Sequence, residues 1–112
     1  MKMTTAVGRL AEDAVAEQLK KQGFKILSKN WRTRRCEIDI VARKDQIVYF
    51  VEVKYRSGSA YGDGLAYITQ RKINRLNFAA KLWLATNDWP GDWRLLAASV
   101  GPKNKVEQLV EL

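Results

Sequence analysis

Three charged residues on two neighbouring strand-like segments have the residue types of a reactive site. Asp39 lies in the segment "CEIDIVA", and Glu52 and Lys54 lie in "VYFVEVKYR". Charged side chains are costly to bury, so their presence inside apolar runs requires a reason. If the two segments pair, the two carboxylates approach each other and repel unless something positive lies between them. Lys54 is one candidate for that positive charge, and a divalent cation is a better one.

Such a set supports metal-assisted hydrolysis of a phosphodiester. Mg²⁺ is usually held by one or two carboxylates together with waters and phosphate oxygens. A bound metal polarises the phosphate and activates a water for in-line attack. Lys54, two residues after Glu52, would orient that water or offset the charge that develops on the phosphate. The simpler alternative is an exposed ion pair between Glu52 and Lys54 on a solvated face of a sheet.

The two segments are expected to form the strands of one hairpin. Their apolar runs, at about residues 36–42 and 47–55, flank the turn "RKDQ", which is short enough to join antiparallel neighbours. Side chains alternate along a strand, so Glu37 and Asp39 share one face. Glu52 and Lys54 share a face of the next strand. We expect the other face of that strand to form the core, since all its residues are apolar: Ile47, Tyr49, Val51 and Val53.

Two helices are expected beside these strands. The first begins after an N-cap at Thr5 and ends near Gln22, with Gly23 as its stop. Glu12 lies on the flank of its apolar stripe and faces either solvent or the edge of a sheet. The stripe consists of Val7, Leu10, Ala11, Ala14, Val15 and Leu19. The second helix follows the glycine-rich loop "SGSAYGDG" and ends near Thr86, and its face is marked by Leu65, Thr69, Lys72, Ile73, Leu76, Ala79, Ala80 and Trp83.

Further strands complete the expected architecture. "FKILSKNWR" precedes the hairpin, "WRLLAASV" follows the second helix, and "KVEQLVEL" forms a short edge strand. The order α-β-β-β-α-β, with the edge strand after it, predicts an α/β fold with a small mixed sheet flanked by helices. A chain of 112 residues, without a repeat or a long linker, is expected to form a single domain over residues 1–112.

The net charge of +8 points to a polyanionic partner. From Lys20 to Lys44 the chain carries nine basic residues, and its only acids there are Glu37 and Asp39. From Lys54 to Lys81 six basic residues accompany a single acid, Asp63. Nucleic acid is the usual partner of such a distribution. The alternative is a lysine-rich surface that serves solubility alone.

Several classes of protein are disfavoured by the composition. No apolar run approaches the roughly 18 residues of a membrane span, and the N-terminus has no signal-peptide core, so we expect a cytoplasmic protein. The lone Cys36 cannot form an internal disulfide, and without histidine the chain has no Cys/His zinc set. Cys36 itself is expected to be a core thiol rather than a nucleophile.

An ordered array of motifs resembles the bacterial YraN family, over roughly residues 5–100. The array consists of "G-R-x-A-E-D" at 8–13, "N-W-R-T-R-R-x-E-I-D-I" at 30–40, "V-x-F-V-E-V-K-x-R" at 48–56, "Y-G" at 61–62 and "R-K-I-N-R-L" at 71–76. That family is described as similar to Holliday junction resolvases of the PD-(D/E)xK nuclease superfamily. The resemblance implies a restriction-endonuclease-like core, a Mg²⁺ cofactor for which Mn²⁺ could substitute, and structured or branched DNA as the partner. It also allows a homodimer, because related resolvases act as dimers.

The resemblance further implies a role for each matching residue. Asp39 and Glu52 would be metal ligands, Lys54 the catalytic lysine, and the main-chain carbonyl of Val53 a further ligand. Glu12 matches a first-helix acid that completes the catalytic set. Supporting roles fall to Glu37, Gln70 and Lys72. The chain departs from the family at Cys36, where glycine is usual, and in "RLLAAS", which lacks an expected polar residue and is not expected to touch the site.

Nucleic-acid contacts are expected from cations and from one tryptophan. Trp31 lies within a basic run and has the character of a base-stacking residue. Trp83 is expected in the core, while Trp89 and Trp93 would cover the end of the core or form a dimer interface. The full predicted contact set is Lys29, Trp31, Arg32, Arg34, Arg35, Arg56, Arg71 and Arg75.

Three functions therefore remain open. The first is a Mg²⁺-dependent endonuclease that hydrolyses DNA, including branched or Holliday-junction DNA. The second is a non-catalytic nucleic-acid-binding module that retains the nuclease fold. The third is a small basic protein that scaffolds a partner complex, for which DNA binding would be weak and insensitive to salt.

Overall fold

The computed structural model describes residues 5–56 and 68–112. The loop at 57–64 with its "Y-G" motif, and Leu65 at the start of the predicted second helix, lie outside the described residues. The elements are α1 Ala6–Lys21, β1 Lys25–Arg32, β2 Glu37–Lys44, β3 Ile47–Tyr55, α2 Gln70–Thr86, β4 Asp92–Val100, a 3₁₀ turn Pro102–Asn104, and β5 Val106–Glu111.

The strands form one five-stranded mixed sheet in the order β1-β2-β3-β4-β5. The first three strands are antiparallel neighbours, β3 and β4 run parallel, and β5 returns antiparallel to β4. A parallel pair needs a crossover connection, and α2 lies in the connection between β3 and β4. The predicted α/β class is confirmed. No helix in the described ranges is long and apolar enough to cross a membrane.

Side-chain caps determine where the two helices begin. Thr5 Oγ1 accepts a hydrogen bond from the N–H of Gly8 at 3.0 Å, and Thr69 Oγ1 accepts one from the N–H of Lys72 at 3.2 Å. Each cap provides an acceptor for an N–H that has no partner within its helix. Gly23, just after α1, has a φ of 93°, a left-handed conformation that favours glycine. The predicted ends of α1 are thereby confirmed.

The face that α1 buries differs from the predicted stripe. Val7 and Leu10 are 49% and 54% exposed, whereas Glu12 and Ala16 are buried. The buried side is centred on the line through Ala11, Val15 and Leu19, so the helix is rotated towards Glu12 and away from Leu10. Predicting Leu10 in the core was wrong, because α1 presents Ala11, Val15 and Leu19 to the sheet and Leu10 lies outside that line.

Both faces of the sheet are covered by apolar packing. On one face α1 packs against a cluster that includes Ile40, Val51 and Val53. On the other face α2 packs against Val48 and Phe50, which are fully buried. The face of β3 that was expected to form the core does so at Val51 and Val53, and the opposite face adds a second apolar cluster at Val48 and Phe50. Helices on both faces are the normal environment of a parallel strand pair, which needs apolar residues on both sides.

The β2–β3 turn is shorter than predicted. The ladder continues to the pairs Arg43↔Val48 and Lys44↔Ile47, which leaves Asp45 and Gln46 as a two-residue turn. Asp45 has a φ of 56°. Aspartate tolerates the left-handed conformation better than most residues, which makes the tight turn accessible.

Tryptophans close the end of the core beneath α2. Trp83 is buried, as predicted, in the apolar cluster between α2 and the sheet that includes Val48 and Phe50. Trp89 and Trp93 are partly buried against this cluster. Trp89 Nε1 donates to the carbonyl of Asp92 at 2.9 Å, and the Arg43 guanidinium lies 4.7 Å from the centre of the Trp89 ring. Covering the core was one of the two roles expected for Trp89 and Trp93.

Candidate functional site

Asp39 is held where the pairing between β2 and β3 stops. The last paired residues are Ile40 and Val51, and a further step of the same register would place Asp39 opposite Glu52. The Asp39 side chain is 5% exposed, and its Oδ2 accepts a hydrogen bond from the main-chain N–H of Val53 at 2.8 Å. A side chain of β2 thus binds the backbone of β3. This hydrogen bond fixes the carboxylate at the fork, the point beyond Ile40 and Val51 where the two strands are no longer paired.

Glu52 and Lys54 follow on β3, and both are half-buried. In the parallel ladder Glu52 is the partner of Ala97, and Lys54 is the partner of Ser99. Paired residues of neighbouring strands point to the same side of a sheet, so two small buried side chains of β4 lie beside the acid and the lysine. Ser99 is thus a polar residue of β4 beside Lys54, although no described residue of β4 lines the cleft that Glu52 and Lys54 share.

Asp39, Glu52 and Lys54 line a cleft with a volume of about 880 Å³. One side of the cleft is formed by the β1–β2 connection, and the other is formed by α2 and by Ile68, two residues before it. The lining residues are Thr33, Arg34, Arg35, Cys36, Glu37, Asp39, Glu52, Val53, Lys54, Ile68, Gln70, Arg71, Lys72, Asn74, Arg75, Leu76 and Phe78. The structure therefore gathers all the predicted metal ligands, the supporting residues and four of the predicted DNA-binding arginines.

Glu12 does not line this cleft. It is buried on α1, which packs on the face of the sheet that carries Val51 and Val53. Among residues 5–56 and 68–112, no group of three or more His, Cys, Asp or Glu side chains is arranged to hold a metal ion. The carboxylates that line the cleft are those of Glu37, Asp39 and Glu52.

Cations surround the cleft. Arg34 and Arg35 are exposed on the β1–β2 connection, and Arg71 and Arg75 are exposed on α2. The first turn of α2 carries no acidic residue. Because the amino end of a helix bears partial positive charge, the start of α2 adds to the field of these arginines. An anion that enters the cleft would meet positive charge on two sides.

Thr33 shapes the connection that carries Arg34 and Arg35. Its Oγ1 accepts hydrogen bonds from the N–H groups of Arg35 at 3.1 Å and Cys36 at 3.3 Å, and its own N–H donates to the carbonyl of Cys36 at 2.8 Å. Such bonds are the typical way in which a threonine stabilises a turn. The sequence-based predictions assigned no role to the Thr33 hydroxyl, although threonine hydroxyls can stabilise turns in this way. Cys36 is half-buried: it packs against the apolar cluster beneath α2, in keeping with the expected core thiol, and it also lines the cleft.

Four of the predicted nucleic-acid contacts do not line the cleft: Lys29, Trp31, Arg32 and Arg56. Lys29 forms an ion pair with Asp13. Trp31 packs in part against the cluster beneath α2. Arg56 Nη2 donates to both carboxylate oxygens of Glu107, at 2.7 and 2.8 Å, and its Nε donates to Oε1. Arg56 therefore connects the end of β3 to β5.

Substitution of Gly101 tests the importance of this connection. A Cβ atom at Gly101 would lie 2.6 Å from Cδ of Glu107, so Gly101→Ala must displace the carboxylate that binds Arg56. The pair is partly buried and bidentate, and we expect its loss to lower the free energy of unfolding by about 1 kcal/mol in urea denaturation. Glu107→Ala should cost a similar amount. The double variant should be no less stable than Glu107→Ala alone, because the clash has gone. Additive losses would contradict this account.

Fold and cleft together define a mixed α/β protein whose two carboxylates and lysine lie within a cationic cleft. A family model described as "Uncharacterised protein family UPF0102" matches residues 11–100. A UPF0102 protein of Parafrankia sp. (strain EAN1pec) is 43% identical over 90 residues, which is 80% of this chain and 76% of the relative. A UPF0102 protein of Mycobacterium tuberculosis (strain ATCC 25618 / H37Rv) is 41% identical over 106 residues, or 88% and 80%. The chain belongs to the UPF0102 family, which is the YraN family.

Proposed function

We propose that this protein is a Mg²⁺-dependent nuclease that hydrolyses phosphodiester bonds in DNA, with a restriction-endonuclease-like core of the PD-(D/E)xK type. One observation carries the proposal. Asp39, Glu52 and Lys54 line a single cleft whose wall also carries four arginines. Two carboxylates and a lysine are suited to phosphodiester hydrolysis, and the arginines are suited to a polyanionic substrate.

The donor set fits Mg²⁺ better than zinc. Mg²⁺ prefers oxygen ligands and is usually bound through one or two carboxylates, with waters and substrate phosphates completing its shell. Zinc sites are commonly built from cysteine and histidine, and this chain has one cysteine and no histidine. Asp39 and Glu52 would hold the metal. When bound, Mg²⁺ would polarise the phosphate and activate a water molecule.

The chain's own residues would position and stabilise the reacting groups. The hydrogen bond from Val53 holds the Asp39 carboxylate at the fork between β2 and β3. In an extended strand the N–H and C=O of one residue leave on the same edge, so the Val53 carbonyl is directed towards this fork as well. Lys54 lies on the same face of β3 as Glu52, where its ammonium would stabilise negative charge on the phosphate.

DNA is the substrate that the charge distribution favours. Arg34 and Arg35 on one wall, with Arg71 and Arg75 on the other, would flank a phosphate backbone that crosses the carboxylates. A guanidinium can bind phosphate through two parallel hydrogen bonds, which orients the backbone as well as attracting it. Branched DNA is the proposed structured substrate. A four-way junction needs two symmetric cuts, so a homodimer is proposed for that substrate.

Cleavage of labelled linear, nicked, flap and four-way-junction DNA, with Mg²⁺, Mn²⁺ or EDTA, tests this function. We expect cutting with either metal ion and none in EDTA. Lys54→Met keeps the aliphatic stem but removes the charge, and should lower the cleavage rate by at least about 100-fold. Lys81→Met is the matched control, because Lys81 is exposed on α2 and does not line the cleft.

Other results would favour another function. Cutting in EDTA, or cutting by Lys54→Met at the wild-type rate, would contradict the proposed mechanism. Binding of every DNA with a steep salt dependence, but without cutting, would favour the non-catalytic nucleic-acid-binding module. Weak binding that salt does not change would favour the scaffold protein.

A further inference from the structure

Phe78 is an aromatic residue that the fold leaves in the cleft wall. It lies on α2 and is 48% exposed, whereas the nearby residues Leu76, Ala79 and Ala80 are buried against the sheet. Burial of the Phe78 ring against a ligand in the cleft would be favourable, because apolar surface would leave water. One side of α2 packs into the core. Phe78 lies outside that core and lines the cleft instead.

Phe78 is aligned with two of the cleft's arginines. Arg71, Arg75 and Phe78 are four and then three residues apart, which places them on one side of the helix over about 11 Å. All three are exposed and line the cleft. Cations that follow a backbone, next to an aromatic ring on which a base can stack, are the usual components of a single-strand binding site.

We propose that Phe78 stacks on an unpaired base of the substrate, so that the cleft takes DNA with a single-stranded segment beside the scissile phosphate. The proposal rests on the proposed function, in that the cleft must bind DNA. In a continuous duplex both faces of each base are already stacked, and the Phe78 ring would have no partner. A flap, fork or other unpaired end presents the free base face that this ring needs.

A second copy of this chain is the competing occupant of this surface. Contact between the Phe78 rings of two copies would also bring the Arg71 and Arg75 side chains of both copies together. Like charges brought together across an interface oppose association. A DNA strand complements the same arginines, and the charge on the surface therefore favours DNA.

Equilibrium binding in EDTA tests the stacking without requiring catalysis. Fluorescence anisotropy would compare a labelled single strand, a forked duplex and a blunt duplex at one fixed salt concentration. Phe78→Ala should weaken binding of the single strand and the fork by about 10- to 100-fold, and binding of the blunt duplex by less than about 3-fold. Phe78→Trp should restore tight binding, because tryptophan also offers a flat ring.

Two further variants serve as controls. Arg75→Ala should weaken binding of all three DNAs by similar factors. It should also reduce the slope of log affinity against log salt concentration by about one, as expected for a phosphate contact. Leu10→Ala, at an exposed apolar position of α1 outside the cleft, should change none of them. The unfolding midpoints of all variants would show that each remains folded.

Several outcomes would overturn the stacking. These are equal effects of Phe78→Ala on all three DNAs, no effect on any of them, or conversion of a dimer into monomers without a change in single-strand affinity. Failure of the nuclease proposal can be distinguished from failure of the stacking proposal. If no metal supports cutting but Phe78→Ala still weakens single-strand binding selectively, the nuclease function fails and the stacking stands. If wild-type protein cuts and Phe78→Ala binds normally, only the stacking fails.

Discussion

Asp39→Asn is expected to lower the rate of DNA cleavage by at least about 100-fold while the protein stays folded. The Asp39 carboxylate has two tasks in this structure. It accepts the buried hydrogen bond from the Val53 N–H, and it supplies negative charge at the fork of the strands. An asparagine carbonyl oxygen can accept the same hydrogen bond, but it carries no charge with which to hold a cation. Only the second task is therefore lost.

Asp39→Ala separates the two tasks further. It removes the hydrogen bond as well as the charge and leaves the buried Val53 N–H without this acceptor. We expect the free energy of unfolding to fall by about 1–3 kcal/mol, in addition to the loss of cleavage. Initial cleavage rates and urea denaturation of both variants would measure the two effects independently.

Asp45→Asn is the matched control for loss of an aspartate charge. Asp45 is exposed in the β2–β3 turn with a φ of 56°, a conformation that asparagine also adopts readily. Neither stability nor cleavage should change appreciably. Cleavage by Asp39→Asn at the wild-type rate would show that Asp39 serves only to hold the strands together.

Phe50→Ala is expected to produce the largest loss of stability, about 3–5 kcal/mol in the free energy of unfolding. Among the residues that the structure describes, Phe50 has the largest fully buried side chain. Its ring lies edge-to-face with Trp83 at 5.5 Å between ring centres and with Trp93 at 6.1 Å. Truncation would leave a cavity and remove both aromatic contacts, each of which contributes about 0.5–1.5 kcal/mol beyond burial.

The same substitution at Phe78 is the control. Phe78 is exposed, and Phe78→Ala should change the free energy of unfolding by less than about 0.5 kcal/mol. Urea midpoints at an unchanged denaturant slope would give both values. A loss below about 2 kcal/mol for Phe50→Ala would contradict the packing of α2 on the sheet described here. Because α2 carries one wall of the cleft, Phe50→Ala should also weaken DNA binding.

The site depends on packing as well as on its charged residues. Phe50 and Glu52 are two residues apart on β3 and on the same face. The apolar half of that face, with Phe50, packs against α2. The charged half, with Glu52, lines the cleft that α2 helps to enclose. One strand face thereby positions the proposed catalytic residues and the helix that carries Arg71 and Arg75.

Local sequence patterns were sufficient to predict several features of the structure. The alternation around the "RKDQ" turn predicted two adjacent strands, and the positions of Thr5 and Gly23 predicted the ends of α1. The spacing of Asp39, Glu52 and Lys54 pointed to one site, and the structure places all three in one cleft. These features depend on residues close in sequence or on a hairpin with a short turn, so periodicity and capping chemistry suffice to predict them.

Other features depend on contacts between distant segments. The burial of Glu12 and the exposure of Leu10 follow from the rotation of α1 on the sheet. The position of Ser99 beside Lys54 follows from the parallel β3–β4 register, and the pairing of Arg56 with Glu107 follows from the position of β5. The amphipathic pattern of a single segment cannot specify such contacts, because several rotations and registers bury similar apolar area.

The sequence by itself determined the chemistry available to this protein: two acids and a lysine at hairpin spacing, in a strongly basic chain. Only the tertiary structure decided which cations surround that chemistry and that Phe78 lies among them. The physical reason is that side-chain chemistry and local periodicity are properties of short segments. Cleft walls, by contrast, are formed where α2 and the β1–β2 connection pack around β3, and that packing minimises the free energy of the whole chain.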